Sequence, residues 1–267
     1  MKRIQLFEFE DFNWFPSTIR TGMTNLLVVL QKMMGTSEVI ASLIATTKQR
    51  HNFSQIIDLG SGSGGIMLDV LKKLNTDNSE SLKLRLSDLH PNPQLVKRIN
   101  SSNIANVTYH ETSVDATNLT DLPKGLKTMV NSFHHMPPNM AKGILKSAQD
   151  NKQPLLIYEI GENKIPTLIW WLLLPLSLAI LIVMVLFMTP FVKPLSWKQI
   201  LFTYLIPIIP LCYAWDGQAS IMRIYTFKDV EYLIRDFKNE SYTWEIAKAK
   251  KANGKTIGYY ILGLPKQ

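Results

Sequence analysis

Apolar positions along this chain follow two alternating rhythms, and together they define an architecture. Residues 54–59 form a short strand-like run. Ile66, Val70 and Leu74 then repeat at helical spacing, with Met67 and Leu71 beside them. Residues 82–86 alternate apolar and charged and end at Ser87-Asp88, a second strand. Residues 93–99 read as a helix, 106–110 as a third strand, 127–133 as a fourth, and 140–148 as another helix. The run PLLIYEI (154–160) reads as a fifth strand buried on both faces. Residues 227–237 are helical in pattern. Residues 242–249 and 256–262 are strands joined through Asn253-Gly254, a hairpin signal. Ahead of the first strand, 21–34 and 37–47 read as helices, and 76–80 as a polar loop. The order βαβαββαβ, then αββ, predicts a mostly parallel sheet with helices on both faces and an antiparallel closing hairpin.

One stretch breaks the alternation. From Ile165 to Val192 there is no charged residue, and a bilayer span needs only about 20 apolar residues. Trp170 and Trp171 stand near its start, where interfacial aromatics belong. A second uncharged run, Ile200 to Trp215, is shorter and carries Pro207 and Pro210, which are expected to break it. The brief link 193–199 makes the pair an apolar helical hairpin, either two spans or a dipping loop. Strands on both sides of the hairpin belong to one sheet. Both flanks must then lie on one face of the membrane, and their excess of Lys and Arg over the link places them in the cytoplasm.

Composition adds bounds. The net charge of +8 is spread along the chain, and no basic stripe marks a nucleic-acid partner. The single cysteine, Cys212, excludes an intramolecular disulfide and a cysteine-based zinc site. No metal is expected. The opening MKRIQLFEFEDF is interrupted by acids and lacks the apolar core of a signal peptide. The aromatics among residues 7–15 read either as packing on the domain or as a lid or membrane-surface contact.

The chemistry-bearing residues sit where strands end. Ligands of open α/β sheets bind at the carboxyl ends of the strands. The first strand runs into Asp58, Gly60, Ser61, Gly62 and Gly64, a glycine-rich turn that opens a helix. Its spacing, D-x-G-x-G-x-G, departs from the G-x-G-x-x-G of dinucleotide binders. Asp88 and Leu89 follow the second strand; Val114, Asp115 and Ala116 follow the third; Asn131-Ser132-Phe133-His134-His135 follows the fourth.

This register resembles the class I S-adenosylmethionine (SAM) methyltransferases. NSFHHMPP is similar to the corresponding segment of the ubiquinone/menaquinone and sterol type enzymes. The resemblance covers residues 50–160 and is only architectural beyond them. It implies a Rossmann-like seven-stranded sheet with SAM as cofactor. The glycine loop, with Asp58 behind it, would face the methionine part. Asp88 would accept from the ribose hydroxyls, and Asp115 from the adenine amino group with Val114 and Ala116 beside the ring. Ser132, His134 and His135 would line the methyl-donor end. Histidine titrates near neutral pH and suits a general base, so His134 and His135 are the catalytic candidates.

A later polar cluster, Asp216, Ser220 and Arg223 at i, i+4 and i+7 with Tyr225, reads either as a site for an anionic group of an acceptor or as an internal ion pair. Trp14 joins Asp216, Arg223 and Tyr225 as substrate candidates. Four parts are expected: 1–53, an N-terminal helical lid; 54–164, the SAM-binding core; 165–215, the membrane insert; and 216–267, the completion of the core. The reading is a membrane-associated methyltransferase acting on a lipophilic or amphiphilic small molecule. It has membrane lipid as partner and its soluble domain on the cytoplasmic face. A non-catalytic scaffold in a membrane complex is the alternative.

Overall fold

The computed structural model describes residues 1–76 and 81–266, so most of the polar loop expected at 76–80 lies outside the described residues. The chain forms two compact units. One comprises Met1, residues 35–161 and residues 227–267; the other comprises residues 2–34 and 162–226.

The first unit is built on a seven-stranded sheet. Its elements are α2 (Thr36–Arg50), β1 (Gln55–Leu59), α3 (Gly65–Thr76), β2 (Lys83–Ser87), α4 (Pro93–Ser101), β3 (Val107–Tyr109), β4 (Leu126–Val130), α5 (Pro138–Asp150), β5 (Leu155–Glu159), α9 (Phe227–Ile234), β6 (Tyr242–Lys250) and β7 (Thr256–Pro265). The strand order is β3-β2-β1-β4-β5-β7-β6. β1 to β5 are parallel, and β7 runs antiparallel to both β5 and β6. This is the mostly parallel sheet with an antiparallel end hairpin that the periodicity predicts. The β-branched and leucine residues of the central strands, among them Ile56, Ile57, Leu156 and Ile157, are buried, as parallel strands covered on both faces require. Strand order reverses between β1 and β4, which places the ligand crevice of this topology at their carboxyl ends.

Element starts and stops follow local chemistry. Asn92 caps α4 by accepting from the amides of Gln94 and Leu95, and Pro93 occupies the first turn where its missing N–H costs nothing. β4 ends three residues earlier than its apolar pattern suggests. Asn131 takes φ +52° and turns the chain into a short 3₁₀ turn over Phe133–His135.

The second unit joins the N-terminal segment to the apolar insert. It contains α1 (Ser17–Met33), α6 (Thr167–Met188), α7 (Trp197–Ile200) and α8 (Ile208–Arg223). α6 continues as a 3₁₀ turn to Phe191, and the span Thr167–Phe191 is long and apolar enough to cross a membrane. α7 runs on through a π-helical turn (Leu201–Leu205) and meets α8 at a bend of 80°. That break falls at Pro207. Pro210, also expected to break the run, instead lies in the first turn of α8, where proline is tolerated.

Ile19, Met23, Leu26 and Val29 of α1 form one buried cluster with Val185 and Met188 of α6 and with Ile209, Cys212 and Tyr213 of α8. The compact units part at 34/35, 161/162 and 226/227. Residues 2–34 complete the helical unit because α1 turns its apolar face to the insert. Residues 216–226 stay with it because α8 runs on past the uncharged stretch.

Candidate functional site

The carboxyl ends of β1, β2 and β4 carry a connected polar network. Asp58, the penultimate residue of β1, is buried. Its two carboxylate oxygens accept from the Thr128 hydroxyl at 2.6 Å and the Ser61 hydroxyl at 2.7 Å. Burial nevertheless pushes its pKa up to about 6, with the Asp88 charge adding to the rise and the two hydroxyls opposing it. Ser61 and Ser87 tie the loop to β2. The Ser61 amide donates to the Ser87 carbonyl at 2.9 Å, and the Ser87 hydroxyl donates to the Asp58 carbonyl at 2.8 Å. Asp58 thus holds the glycine turn from behind.

Gly60, Gly62 and Gly64 take φ of +68°, +49° and +74°. A Cβ on Gly64 would stand 2.7 Å from Leu86 Cδ1, so that leucine would have to shift to admit a side chain. A Cβ on Gly60 would stand 3.3 Å from Ser132 Oγ. The Gly62 amide donates to Asp88 Oδ2 at 3.0 Å, and the other Asp88 oxygen accepts the His90 amide at 2.9 Å. The Asp88 carbonyl accepts the Val114 amide at 2.9 Å, and the Leu89 carbonyl accepts the Ser113 hydroxyl at 2.7 Å, which joins the loops after β2 and β3. Val114 is buried, Ala116 half-buried and Leu89 exposed. Asp115 is exposed and uses Oδ1 to accept both the amide and the hydroxyl of Thr117, each at 2.8 Å.

Ser132, Asn131 and the His pair complete this end. The hydroxyl of Ser132 and the side-chain nitrogen of Asn131 are buried without a hydrogen-bond partner. An orphaned buried hydroxyl costs about 1–3 kcal/mol unless a ligand or water satisfies it. His134 is buried. Its amide donates to Glu159 Oε1 at 3.0 Å and its Nδ1 lies 2.7 Å from Glu159 Oε2. A carboxylate accepts, so the Glu159 contact assigns the Nδ1 proton to the His134 ring as donor. The His135 ring lies 4.3 Å from that of His134, tilted by 36°.

The structure therefore brings Asp58, Gly60, Ser61, Gly62, Gly64, Asp88, Val114 and Ser132 into one linked set of strand ends. Reading by strand ends also missed several residues. Glu159 is the acid that closes the buried run of β5, and the same strand-end rule would have found it. Tyr109 closes β3, and its phenol donates to the Gly62 carbonyl at 2.9 Å. Burial and the charges of Asp88 and Asp58 push that phenol's pKa up, which keeps it a donor. Thr128 had no sequence signal beyond its place in β4.

The substrate candidates Trp14, Asp216, Arg223 and Tyr225 belong to the helical unit. There Asp216 accepts the amides of Phe9 at 2.8 Å and Glu10 at 3.1 Å. Arg223 pairs with Glu8 at 3.0 Å and Asp11 at 2.6 Å. The Arg3 guanidinium lies 4.9 Å from the centre of the Tyr225 ring. Three of the four thus engage the N-terminal segment, and Trp14 is exposed.

No family model and no curated protein matches this sequence. Solved structures do. The plantazolicin methyltransferase BpumL in complex with SAH superposes with a TM-score of 0.51 at 11% identity, over 93% of this chain and 98% of that one. BpumL in complex with a triazolic desmethylPZN analog and SAH gives 0.50 at 12% identity, over 93% and 98%. An O-methyltransferase family protein from Burkholderia thailandensis gives 0.50 at 12% identity, over 90% of this chain and 57% of that one. At these identities the likeness is one of fold, and that fold is the Rossmann-like sheet of the methyltransferases.

Proposed function

We propose that this chain is a membrane-associated, S-adenosylmethionine-dependent methyltransferase acting on a lipophilic or amphiphilic small molecule. The observation that carries the reading is the pairing of the positive-φ glycine turn after β1 with the orphaned Ser132 hydroxyl, 3.3 Å from where a Gly60 side chain would begin. A cradle free of side chains and lined by an unsatisfied hydroxyl fits a small polar ligand. The methyltransferase fold supports SAM as that ligand.

S-adenosylmethionine supplies, when bound, a methyl group activated by a sulfonium. The chain's residues would do the rest. Gly60, Ser61 and Gly62 would present backbone to the amino-acid end, and Asp58 would keep their turn in place through Ser61. Asp88 would give up its bond to the Gly62 amide, or share it, and accept from ribose hydroxyls. Asp115 has a second carboxylate oxygen available to the exocyclic amine of the base. Transfer is an in-line displacement, so positioning accounts for most of the rate. An oxygen or nitrogen acceptor must also lose a proton. The Nε2 atom of His134 is the base suited to take it, because Glu159 holds the proton on Nδ1.

The apolar stretch of α6 supports membrane attachment. It enters the chain between β5 and α9. A sheet unit on the cytoplasmic face is part of this proposal.

The test is mass spectrometry of total lipids from cells with and without the protein. A species heavier by one CH2 unit, a methyl in place of a hydrogen, present only with the protein and absent with His134→Ala, supports the reading. Identical lipid profiles at confirmed expression would remove the lipophilic acceptor from it.

A further inference from the structure

The path of the N-terminal segment along the helical unit bears on how that unit meets a bilayer. Ile4 and Leu6 pack with Trp170, Leu174 and Leu178 in the first half of α6. Phe9, Phe12 and Phe15 belong to the cluster around Met184, Val185 and Met188 in its second half. Residues 4–15 therefore follow α6 from one half to the other. Apart from a 3₁₀ turn at Phe9–Asp11 they are not helical. Asp11, Asn13 and Trp14 in this stretch are exposed.

Were α6 to cross the bilayer, this stretch would cross beside it. Irregular backbone with exposed acid and amide side chains is not tolerated in hydrocarbon. The unit also carries polar surface: Ser17, Thr21 and Asn25 of α1 line a cleft of ≈ 210 Å³ with Ser196, Lys198 and Gln199, and Arg20 donates to the carbonyls of Glu10 and Phe12.

The opposite side of α6 differs. Leu168, Leu172, Leu176, Ile180, Val183 and Phe187 are all exposed at helical spacing, with Leu168 82% and Phe187 73% exposed, and Ile169, Trp171 and Leu173 widen this apolar surface in the first half of the helix. Exposed lysines stand beyond both ends of this surface, Lys164 before it and Lys193 and Lys198 after it, with none between. With the N-terminal segment packed along its other side, this is the side of α6 left open to acyl chains.

We infer that the helical unit is monotopic: α6 lies along one leaflet with its exposed apolar surface in the acyl chains, and no segment crosses the membrane. The inference rests on the membrane attachment proposed above and settles its form. The N-terminal segment stays on the water side of α6, at headgroup level. Its aromatic ladder there runs from Trp215 stacked on Phe7 at 4.9 Å to Phe12 stacked on Trp14 at 5.3 Å. Tryptophan and phenylalanine at that depth serve as interfacial anchors.

The test uses the unmodified full-length chain in sealed membrane vesicles of one orientation, treated with a membrane-impermeant amine reagent. Peptide mass spectrometry then reads Lys164, Lys193 and Lys198. The expected result is modification of all three from the same face, to within about twofold of the level reached after detergent. Modification of Lys164 from one face with Lys193 and Lys198 reached only from the other, or from neither, overturns the monotopic form while leaving membrane attachment intact. Failure of the protein to float with the vesicles in a density gradient overturns the attachment itself, and the inference with it.

Discussion

The Nδ1 atom of His134 lies 2.7 Å from Oε2 of Glu159, while Oε1 of the same carboxylate accepts the His134 backbone amide at 3.0 Å. One side chain at the end of β5 thus fixes both the ring and the backbone of the turn after β4. Glu159 acts here as a positioning residue for the proposed base.

His134→Asn should lower kcat about 10²–10⁴-fold, the range for loss of a general base. Glu159→Gln should lower it less, about 10–10²-fold, because the amide no longer fixes the ring's tautomer. Affinity for SAH, measured by calorimetry, should hold in both variants. A parallel loss of SAH affinity and rate in Glu159→Gln would mark the pair as structural only.

Asp58 makes a pH prediction. Its folded pKa of about 6 lies above the ordinary carboxylate value of 3.8. Between those values the folded chain binds a proton that the unfolded chain does not. The Asp58 contribution to stability therefore falls as pH rises from about 4 to about 6 and is at its least favourable above 6. The swing is on the order of 3 kcal/mol. Denaturant titrations at pH 4.5 and 7.5 should show the wild type losing stability relative to Asp58→Asn across this interval. No difference in pH dependence between the two would refute the assignment.

Arg223 and Glu8 form a buried pair in the helical unit, with Arg223 1% and Glu8 0% exposed. Arg223→Met leaves a buried carboxylate uncompensated and should cost about 3–5 kcal/mol. The double variant with Glu8→Gln should recover a substantial part of that loss. Additive losses in a double-mutant cycle, read by thermal unfolding in detergent, would show that the two side chains are not coupled.

The sheet unit was legible in the sequence, and the helical unit only in part. Strands β1, β2 and β5 announce themselves by β-branched and leucine runs that end in Asp58, Ser87-Asp88 and Glu159. The Asn253-Gly254 turn marks the closing hairpin. Cofactor candidates could be read because such sites lie where strands stop. Hydrogen-bond partners from elsewhere in the chain could not: Thr128 and Tyr109 look like ordinary strand residues until the register places them beside Asp58 and Gly62. The same holds for α1. Ile19, Met23 and Leu26 repeat as on any amphipathic helix, and nothing local says that they pack on Val185 and Cys212. Arg223 read either as a ligand group or as an internal partner of Asp216, and its actual partners, Glu8 and Asp11, lie more than two hundred residues away.

That packing alters what a deletion should do. Removing 165–215 alone uncovers the apolar face of α1 and should give an aggregating protein. Removing residues 2–34 together with 162–226, with a short linker to α9, should give a soluble sheet unit. Size-exclusion chromatography decides between them: a monodisperse 165–215 deletion would show that α1 does not depend on the insert.

The most direct test of the central claim is calorimetric titration of the purified full-length protein with SAH. The expected result is one site per chain, with Asp88→Ala weakening binding by about 1–3 kcal/mol through the ribose contacts it leaves unpaired. No heat of binding with SAH or SAM from folded protein, or tight binding of NAD in their place, would contradict the assignment.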